Sequence, residues 1–341
     1  HQAWYFRGNA LGNLERYEQA IASYDKALEL KPDYHQAWLN KGIALGNLGR
    51  YEEAIASYDK ALEIKPDDHQ AWLNRGAVLC DQLQRNEQAI ASYDRALEFK
   101  PDDHQAWENR GIALGNLGRY EEAIASYDKA LEFKPDNHYA WNNRGIALGN
   151  LGRNEEAITS FEKALEIKPD KHEAWENRGN ALGNLGRYEE AITSYDKALE
   201  FKPDNHYAWN NRGIALGNLG RYEEAIASYD KALEFKPDNH YAWNYRGIAL
   251  GNLGRYEQAL ASFGKALEVK PDFHEAWFYR GIALRQLGRL KEAFASTSKA
   301  SEINPDFVMA QAKQNVVSVL QKLGWNKLTQ FFKGLLRRKV N

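Results

Sequence analysis

Nine histidines, one cysteine and a recurring glycine pattern are the residues of this chain whose types could do chemistry. Histidine serves as metal ligand and general acid–base group, cysteine as nucleophile, and glycine-rich turns cradle phosphates. The spacing argues against all three. His1, His35, His69, His104, His138, His172, His206, His240 and His274 recur at a step of 34 residues, once of 35. Packed helices lie roughly 8–10 Å apart, so successive imidazoles stand too far apart to share a metal ion. Cys80 sits in no nucleophile motif, and a single cysteine forms no internal disulfide; a reducing compartment fits. Gly42-x-x-x-Gly46-x-x-Gly49 has the wrong spacing for a phosphate loop, follows no strand signal and recurs along the chain. No catalytic residue, metal or cofactor is expected, and the chain reads as a non-enzyme.

The elements that position these residues form an array. Tryptophan keeps the same step from Trp4 to Trp277, and all nine prolines, Pro32 to Pro305, share another register. Such periodicity marks a tandem repeat. The extra residue falls in Cys80-Asp81-Gln82-Leu83-Gln84, where other repeats read Gly-Asn-Leu-Gly. Residues 120–153 and 188–221 differ only at Ala125 against Thr193, the mark of a recent duplication.

Counting positions from His1, the pattern predicts one helix over Gln2 to Leu14, a turn at Glu15-Arg16 and a second helix over Tyr17 to Leu30. Pro32 lacks an amide donor and forces Lys31 into extended geometry, which stops the second helix. Asp33 is placed to cap the next helix, as are Asp67 and Asp170. Seven repeats carry glycine at the first turn, where a left-handed residue closes a helix. On a helical wheel Trp4, Gly8, Leu11 and Leu14 share a face, and Tyr17, Ala20, Ile21, Tyr24, Ala27 and Leu28 form a stripe on the second helix. Large residues facing small ones predict close helix approach, with the indoles sealed inside.

Trp4, Gly8, Ala20, Tyr24, Ala27 and Pro32, repeated nine times, resemble the tetratricopeptide repeat family over about residues 1–307. The resemblance implies an all-α, right-handed superhelical solenoid of antiparallel helix pairs. Repeats start near 1, 35, 69, 104, 138, 172, 206, 240 and 274, with diverged capping helices over 308–341. It further implies that first helices line a concave groove in which peptides bind. Two positions depart from the family pattern: Arg7 and its repeats, with Lys41 in the second unit, stand where leucine is usual, and Leu11 stands where tyrosine is usual. The arginine stem is expected to pack on tryptophan with its guanidinium on a neighbouring carboxylate; a ligand-facing role is the alternative.

The face opposite Trp4 carries positions 2, 5, 6, 9, 12 and 13. Position 6 reads Asn40, Asn74, Asn109, Asn143, Asn177 and Asn211, and position 13 includes Asn47, Asn116, Asn150, Asn184 and Asn218. Ile112, Ile146 and Ile214 lie between them, beside glycines such as Gly46 and Gly115. An amide offers donor and acceptor to a peptide backbone, and glycine admits a close chain at a helix cost of ~1 kcal/mol. These residues are the expected peptide-binding groove; solvated asparagines copied by duplication are the alternative. Tyr241, Tyr245, Phe278 and Tyr279 replace polar groups there, either as an aromatic anchor pocket or as packing for C-terminal helices.

Phe307 to Asn341 hold seven Lys or Arg and no Asp or Glu, which leaves 38 basic against 47 acidic residues elsewhere, or −9. The overall net charge of −2 points to no nucleic acid. Trp325, Leu328, Phe331 and Phe332 follow helical spacing, read as a cap on the last repeat, with membrane contact through 325–341 as an alternative. No run of ~20 apolar residues and no signal-like start place the expectation in the cytoplasm. The opening on His1 reads as a processed or cut chain, with domains or repeats missing. The expected partner is a protein or peptide; a spacer, a self-associating scaffold, or a targeting arm of a larger enzyme are the alternatives.

Overall fold

A computed structural model describes residues 1–311; the expectations for the segment beyond, including the basic helix 325–341, lie outside the described residues. The chain divides into two units, His1–Gly186 and the part from Arg187 onward. The first holds α1 (Gln2–Asn13), α2 (Tyr17–Leu30), α3 (His35–Asn47), α4 (Tyr51–Ile64), α5 (His69–Ala77), α6 (Asn86–Phe99), α7 (His104–Asn116), α8 (Tyr120–Phe133), α9 (His138–Asn150), α10 (Asn154–Ile167) and α11 (His172–Asn184). The second holds α12 (Tyr188–Phe201), α13 (His206–Asn218), α14 (Tyr222–Phe235), α15 (His240–Asn252), α16 (Tyr256–Val269), α17 (His274–Gln286) and α18 (Leu290–Ile303). Helical backbone resumes over 305–311. No strand occurs among the described residues. Within each unit a first helix packs on the second helix of its own pair, and that helix packs on the next pair's first, so each unit is an all-α helical solenoid.

The helix ends follow the backbone chemistry. Lys31, Lys65 and Lys100, each before a proline, are extended, with φ of −148°, −134° and −139°. Gly49 closes α3 with φ of +77°, and the Arg50 amide reaches back to the Leu45 carbonyl at 2.9 Å, the wrap that satisfies the last carbonyls. Six further glycines do the same, while Glu15 (φ +58°) and Gln84 (φ +53°) do so with a side chain. The inserted residue is absorbed as one π-helical turn over Val78–Gln82.

The caps fall one residue later than expected. Asp68, not Asp67, accepts from the amides of Gln70 and Ala71, and Asn137 and Asn205 do likewise. The amide of the residue after Pro-Asp is held by the lysine carbonyl, as in Asp68 N to Lys65 O at 3.2 Å. That turn starts the helix at the histidine, so Asp33, Asp67 and Asp170 stay outside it. The first helix is also a residue shorter, ending at Asn13 rather than Leu14.

The core is made of small residues under rings. Ala20, Ala27, Ala37 and their equivalents are fully buried, and Tyr24 and Tyr93 are nearly so. The tryptophans from Trp38 to Trp277 are half-buried rather than sealed, because the indole N–H must find an acceptor. Trp107 donates to the Pro101 carbonyl at 2.8 Å and Trp141 to that of Pro135 at 2.9 Å. One ring face packs on the core, as Trp141 does against Leu131 and Leu165, while the other lies under an arginine. Arg110 stands 5.8 Å over Trp107. Its Nε binds Asp94 of the preceding pair at 2.6 Å and its Nη1 binds Ser126 at 2.7 Å. Arg75, Arg144, Arg212 and Arg246 repeat this tie. The arginine that departs from the family pattern therefore joins one repeat to the next.

Candidate functional site

The glycines of the first helices let second-helix rings come up beneath the first-helix face. A Cβ on Gly42, Gly76 or Gly111 would lie 2.5 Å from the ring of Tyr58, Tyr93 or Tyr127, closer than packed atoms come. Position 8 must therefore be glycine. Position 12 is different. A Cβ on Gly115 would stand 3.9 Å from the Tyr127 hydroxyl, an ordinary contact, and one on Gly149 or Gly251 would meet no atom within 4 Å.

Between successive first helices these gaps open into clefts. In the first unit Ile112, Gly115, Asn116, Asn143, Ile146 and Asn150 line a cleft of about 270 Å³ with Tyr120 and Tyr127 of α8. The equivalent cleft between α1 and α3, about 410 Å³, has Tyr17 and Tyr24 with Asn40, Ile43 and Asn47. In the second unit Ile248, Gly251, Asn252, Tyr256, Phe263 and Tyr279 line another of about 310 Å³. The tyrosines of positions 17 and 24 are the lining residues that the helical wheel assigned to the core; the paired glycines at 8 and 12 were the signal that a ring reaches past them. At position 24 burial holds the phenol in its neutral form. Burial pushes Tyr24 up to about 12, with Tyr5 adding and the Asn40 hydrogen bond opposing. Tyr127 is likewise raised, first by burial.

The expected asparagines fall into two groups. Asn40, Asn74, Asn109, Asn143, Asn177 and Asn211 at position 6 are half-buried. Asn40 donates to the Asn9 side chain at 2.9 Å and to Tyr5 at 3.2 Å, Asn74 accepts from Gln70, Asn143 accepts from Asn142 and Asn177 donates to it. Asn211 accepts from Asn210. Those at position 13 are exposed, but their donors are used. Asn47, Asn150 and Asn218 donate to the carbonyls of Ile43, Ile146 and Ile214 on their own helices. Asn116 reaches Asn86, and Asn184 reaches Asn154. Ile146 is exposed, and Ile112 and Ile214 are half-buried.

The aromatic residues near the end pack on other rings. Tyr245 stacks on Tyr229 and Tyr279 on Phe263, with ring centroids 6.1 and 6.4 Å apart. Exposed Tyr241 meets Phe273 edge-on at 5.3 Å, and buried Phe278 packs against Phe307 at 5.5 Å. Tyr245 and Tyr279 each stack on a second-helix ring of the preceding repeat, and of the three expected tyrosines Tyr279 lines a cleft identified above.

Among the described residues no three His, Cys, Asp or Glu side chains converge as a metal would require, and no helix is long and apolar enough to cross a membrane. The histidines from His35 to His274 are half-buried at helix starts, with ring nitrogens such as Nδ1 of His104 and His138 buried and unpartnered. Burial pushes the Cys80 thiol up to about 11, helped by Asp81, which is the opposite of an activated nucleophile.

Sequence profiles described as tetratricopeptide repeat match residues 5–69, 45–104, 142–206, 176–240 and 245–306, and others of that description match 92–125 and 228–261. A profile described as TPR repeat matches 116–152. No curated protein sequence matches the chain. Among solved structures, YrrB, described as a TPR protein with an unusual peptide-binding site, is 27% identical, with 54% of this chain and 95% of that one covered and a TM-score of 0.48. MamA is 25% identical over 47% and 94% of the two chains, with a TM-score of 0.46. A tetratricopeptide repeat protein from Parabacteroides merdae ATCC 43184 is 19% identical over 76% and 98%, with a TM-score of 0.54, a likeness of fold.

Proposed function

Because the chain belongs to the tetratricopeptide repeat family, a family of protein-interaction scaffolds, we propose that it takes up an extended peptide or protein segment along the first-helix face of each unit. The observation that carries this reading is glycine at position 12. Inside a helix it costs ~1 kcal/mol against alanine, and the packing of the chain does not require it: a Cβ at Gly149 meets no atom within 4 Å. Clearance for a guest chain accounts for it. Beside it, the half-buried amides of Asn74 and Asn143 are engaged through their oxygens and have NH2 donors for a peptide backbone, while those of Asn40 and Asn177 are engaged through NH2 and have carbonyl oxygens. At position 13 the donor is already engaged, so Asn47, Asn116, Asn150, Asn184 and Asn218 offer a carbonyl. Ile112, Ile146, Ile214, Tyr241, Tyr245 and Tyr279 supply apolar contact.

The test uses random twelve-residue peptides displayed and selected on the full chain. Replacing Asn109, Asn143 and Asn177 with alanine should weaken the selected peptides by about a hundredfold, since three unmet amide contacts at about 1 kcal/mol each sum to about 3 kcal/mol. Unchanged affinity would remove the backbone-gripping ladder.

A further inference from the structure

The second helix decides where the groove opens. Asn47, Asn150, Asn218 and Asn252 each follow a repeat with tyrosine at position 17 (Tyr17, Tyr120, Tyr188, Tyr222). All four turn their amides back onto their own helix, at 3.0, 3.1, 2.9 and 3.0 Å. Asn116 and Asn184 follow a repeat with asparagine there. They reach across instead, Asn116 to Asn86 at 3.3 Å and Asn184 to Asn154 at 3.4 Å. The cause is local: a short carboxamide at position 17 offers an acceptor facing the next repeat, and a tyrosine puts a ring there. Where the ring stands, at Tyr17, Tyr120 and Tyr256, it is a wall of an open cleft. Where the asparagine stands, a pair of amides bridges the two repeats.

No Asp, Glu, Lys, Arg or His lines any of the three clefts. A charged side chain entering such a lining would shed water without meeting an opposite charge, whereas isoleucine, tyrosine and glycine walls suit a bulky neutral one. We infer that position 17 sets a register code: the guest is an extended peptide that inserts bulky neutral side chains at the tyrosine registers and passes over those bridged by Asn86 and Asn154. This rests on the groove reading given above. In the first unit the clefts of Tyr17 and Tyr120 are three repeats apart; Tyr51, between them, faces the repeat with the π-helical turn, where Val78 stands 3.9 Å from a Cβ on Gly46, and it lines neither cleft. At roughly 10 Å per repeat and 3.3 Å per residue, the two anchors lie about nine residues apart in the guest.

The displayed twelve-residue library tests this on the full chain. Selected peptides should carry Phe, Tyr, Leu or Met anchors at that spacing. Tyr120→Asn should weaken them about tenfold, the scale of losing an apolar pocket contact. Asn154→Tyr should open a neighbouring cleft, and a fresh selection on it should return anchors about three residues apart. Each substitution installs a residue that the same position carries elsewhere in the chain, and melting curves check the fold. Affinity within twofold for Tyr120→Asn, with an unshifted pattern for Asn154→Tyr, overturns the register code. Peptides dominated by charged anchors do the same. If the alanine triple variant at Asn109, Asn143 and Asn177 still loses affinity, the groove reading survives that failure; a library that yields no binder overturns both.

Discussion

Gly111 and Tyr127 are fitted so closely that a Cβ on the glycine would stand 2.5 Å from the phenol ring. The ring cannot retreat, since it is buried against the facing helix. Gly111→Ala should therefore destabilise the array by about 1–3 kcal/mol, the range for overpacking a core. Gly149→Ala, four residues after the equivalent glycine of the next repeat, has open space and should stabilise by up to about 1 kcal/mol. Urea titrations of the two variants check the opposite signs. If both destabilise, position 12 has a packing duty and the clearance argument for the groove weakens.

Arg110 ties two repeats through Asp94 and Ser126. Hydrogen bonds to a charged group are worth ~1.5–3 kcal/mol, and Asp94 is half open to solvent, which screens its share. Arg110→Ala should cost about 1–2 kcal/mol. Lysine should recover only part of that. Lys41, which fills this position in the second repeat, keeps the carboxylate at 2.7 Å and the tryptophan face at 5.1 Å, but a point charge lacks the fork that also reaches the serine. A midpoint for Arg110→Lys equal to that of the unaltered chain would refute the two-point tie.

Helix number, pairing and the turn glycines were legible in the sequence because each follows from a local rule repeated nine times: proline stops, left-handed glycine closes, and small faces large. The tie from Arg110 to a carboxylate was legible for the same reason, as a buried stem needs a partner. What was not legible depended on three-dimensional reach. The wheel put Tyr24 and Tyr127 in the core and could not show that missing Cβ atoms let them floor a cleft. Trp141 was expected inside, but its N–H needed the Pro135 carbonyl and held it at the surface. The fate of the Asn116 amide turned on residue 86, thirty positions earlier and on another helix, which no periodicity reveals.

Glu15 and Gln84 hold left-handed backbone, φ of +58° and +53°, where seven other repeats place glycine. A side chain there costs roughly 1–2 kcal/mol against right-handed geometry, partly returned because glycine is freer in the unfolded chain. Glu15→Gly and Gln84→Gly should each stabilise by about 0.5–1 kcal/mol, read from thermal midpoints. Gly118→Ala, at φ of +74°, should lose a similar amount. Should Gln84→Gly destabilise, the π-helical turn just before it would have to depend on the glutamine side chain.

The histidine row sets an acid limit. His35, His138 and His240 all have pKa values below the ordinary 6.5, with burial the first cause in each. Lys171 and Lys168 add to the lowering at His138, opposed by Glu108 and Asp170; Lys65 and Lys31 act on His35 against Asp68 and Asp67; Lys270 acts on His240 against Glu275 and Asp272. A base with a depressed folded pKa takes up its proton in the unfolded chain first. The unfolded state then holds more protons just below pH 6.5, and stability must fall as the pH drops through that window. The glutamates bound by an arginine three residues earlier, such as Glu53, Glu122 and Glu156, act lower. Glu122, held below 4.5 chiefly by its hydrogen bond from Arg119, gives up its contribution only as the pH falls past that value. Urea midpoints measured from pH 7.5 to 5 isolate the imidazoles, and a variant with glutamine at 35, 138 and 240 should show a shallower decline across that range. A slope that the triple variant leaves unchanged would assign the acid sensitivity to other groups.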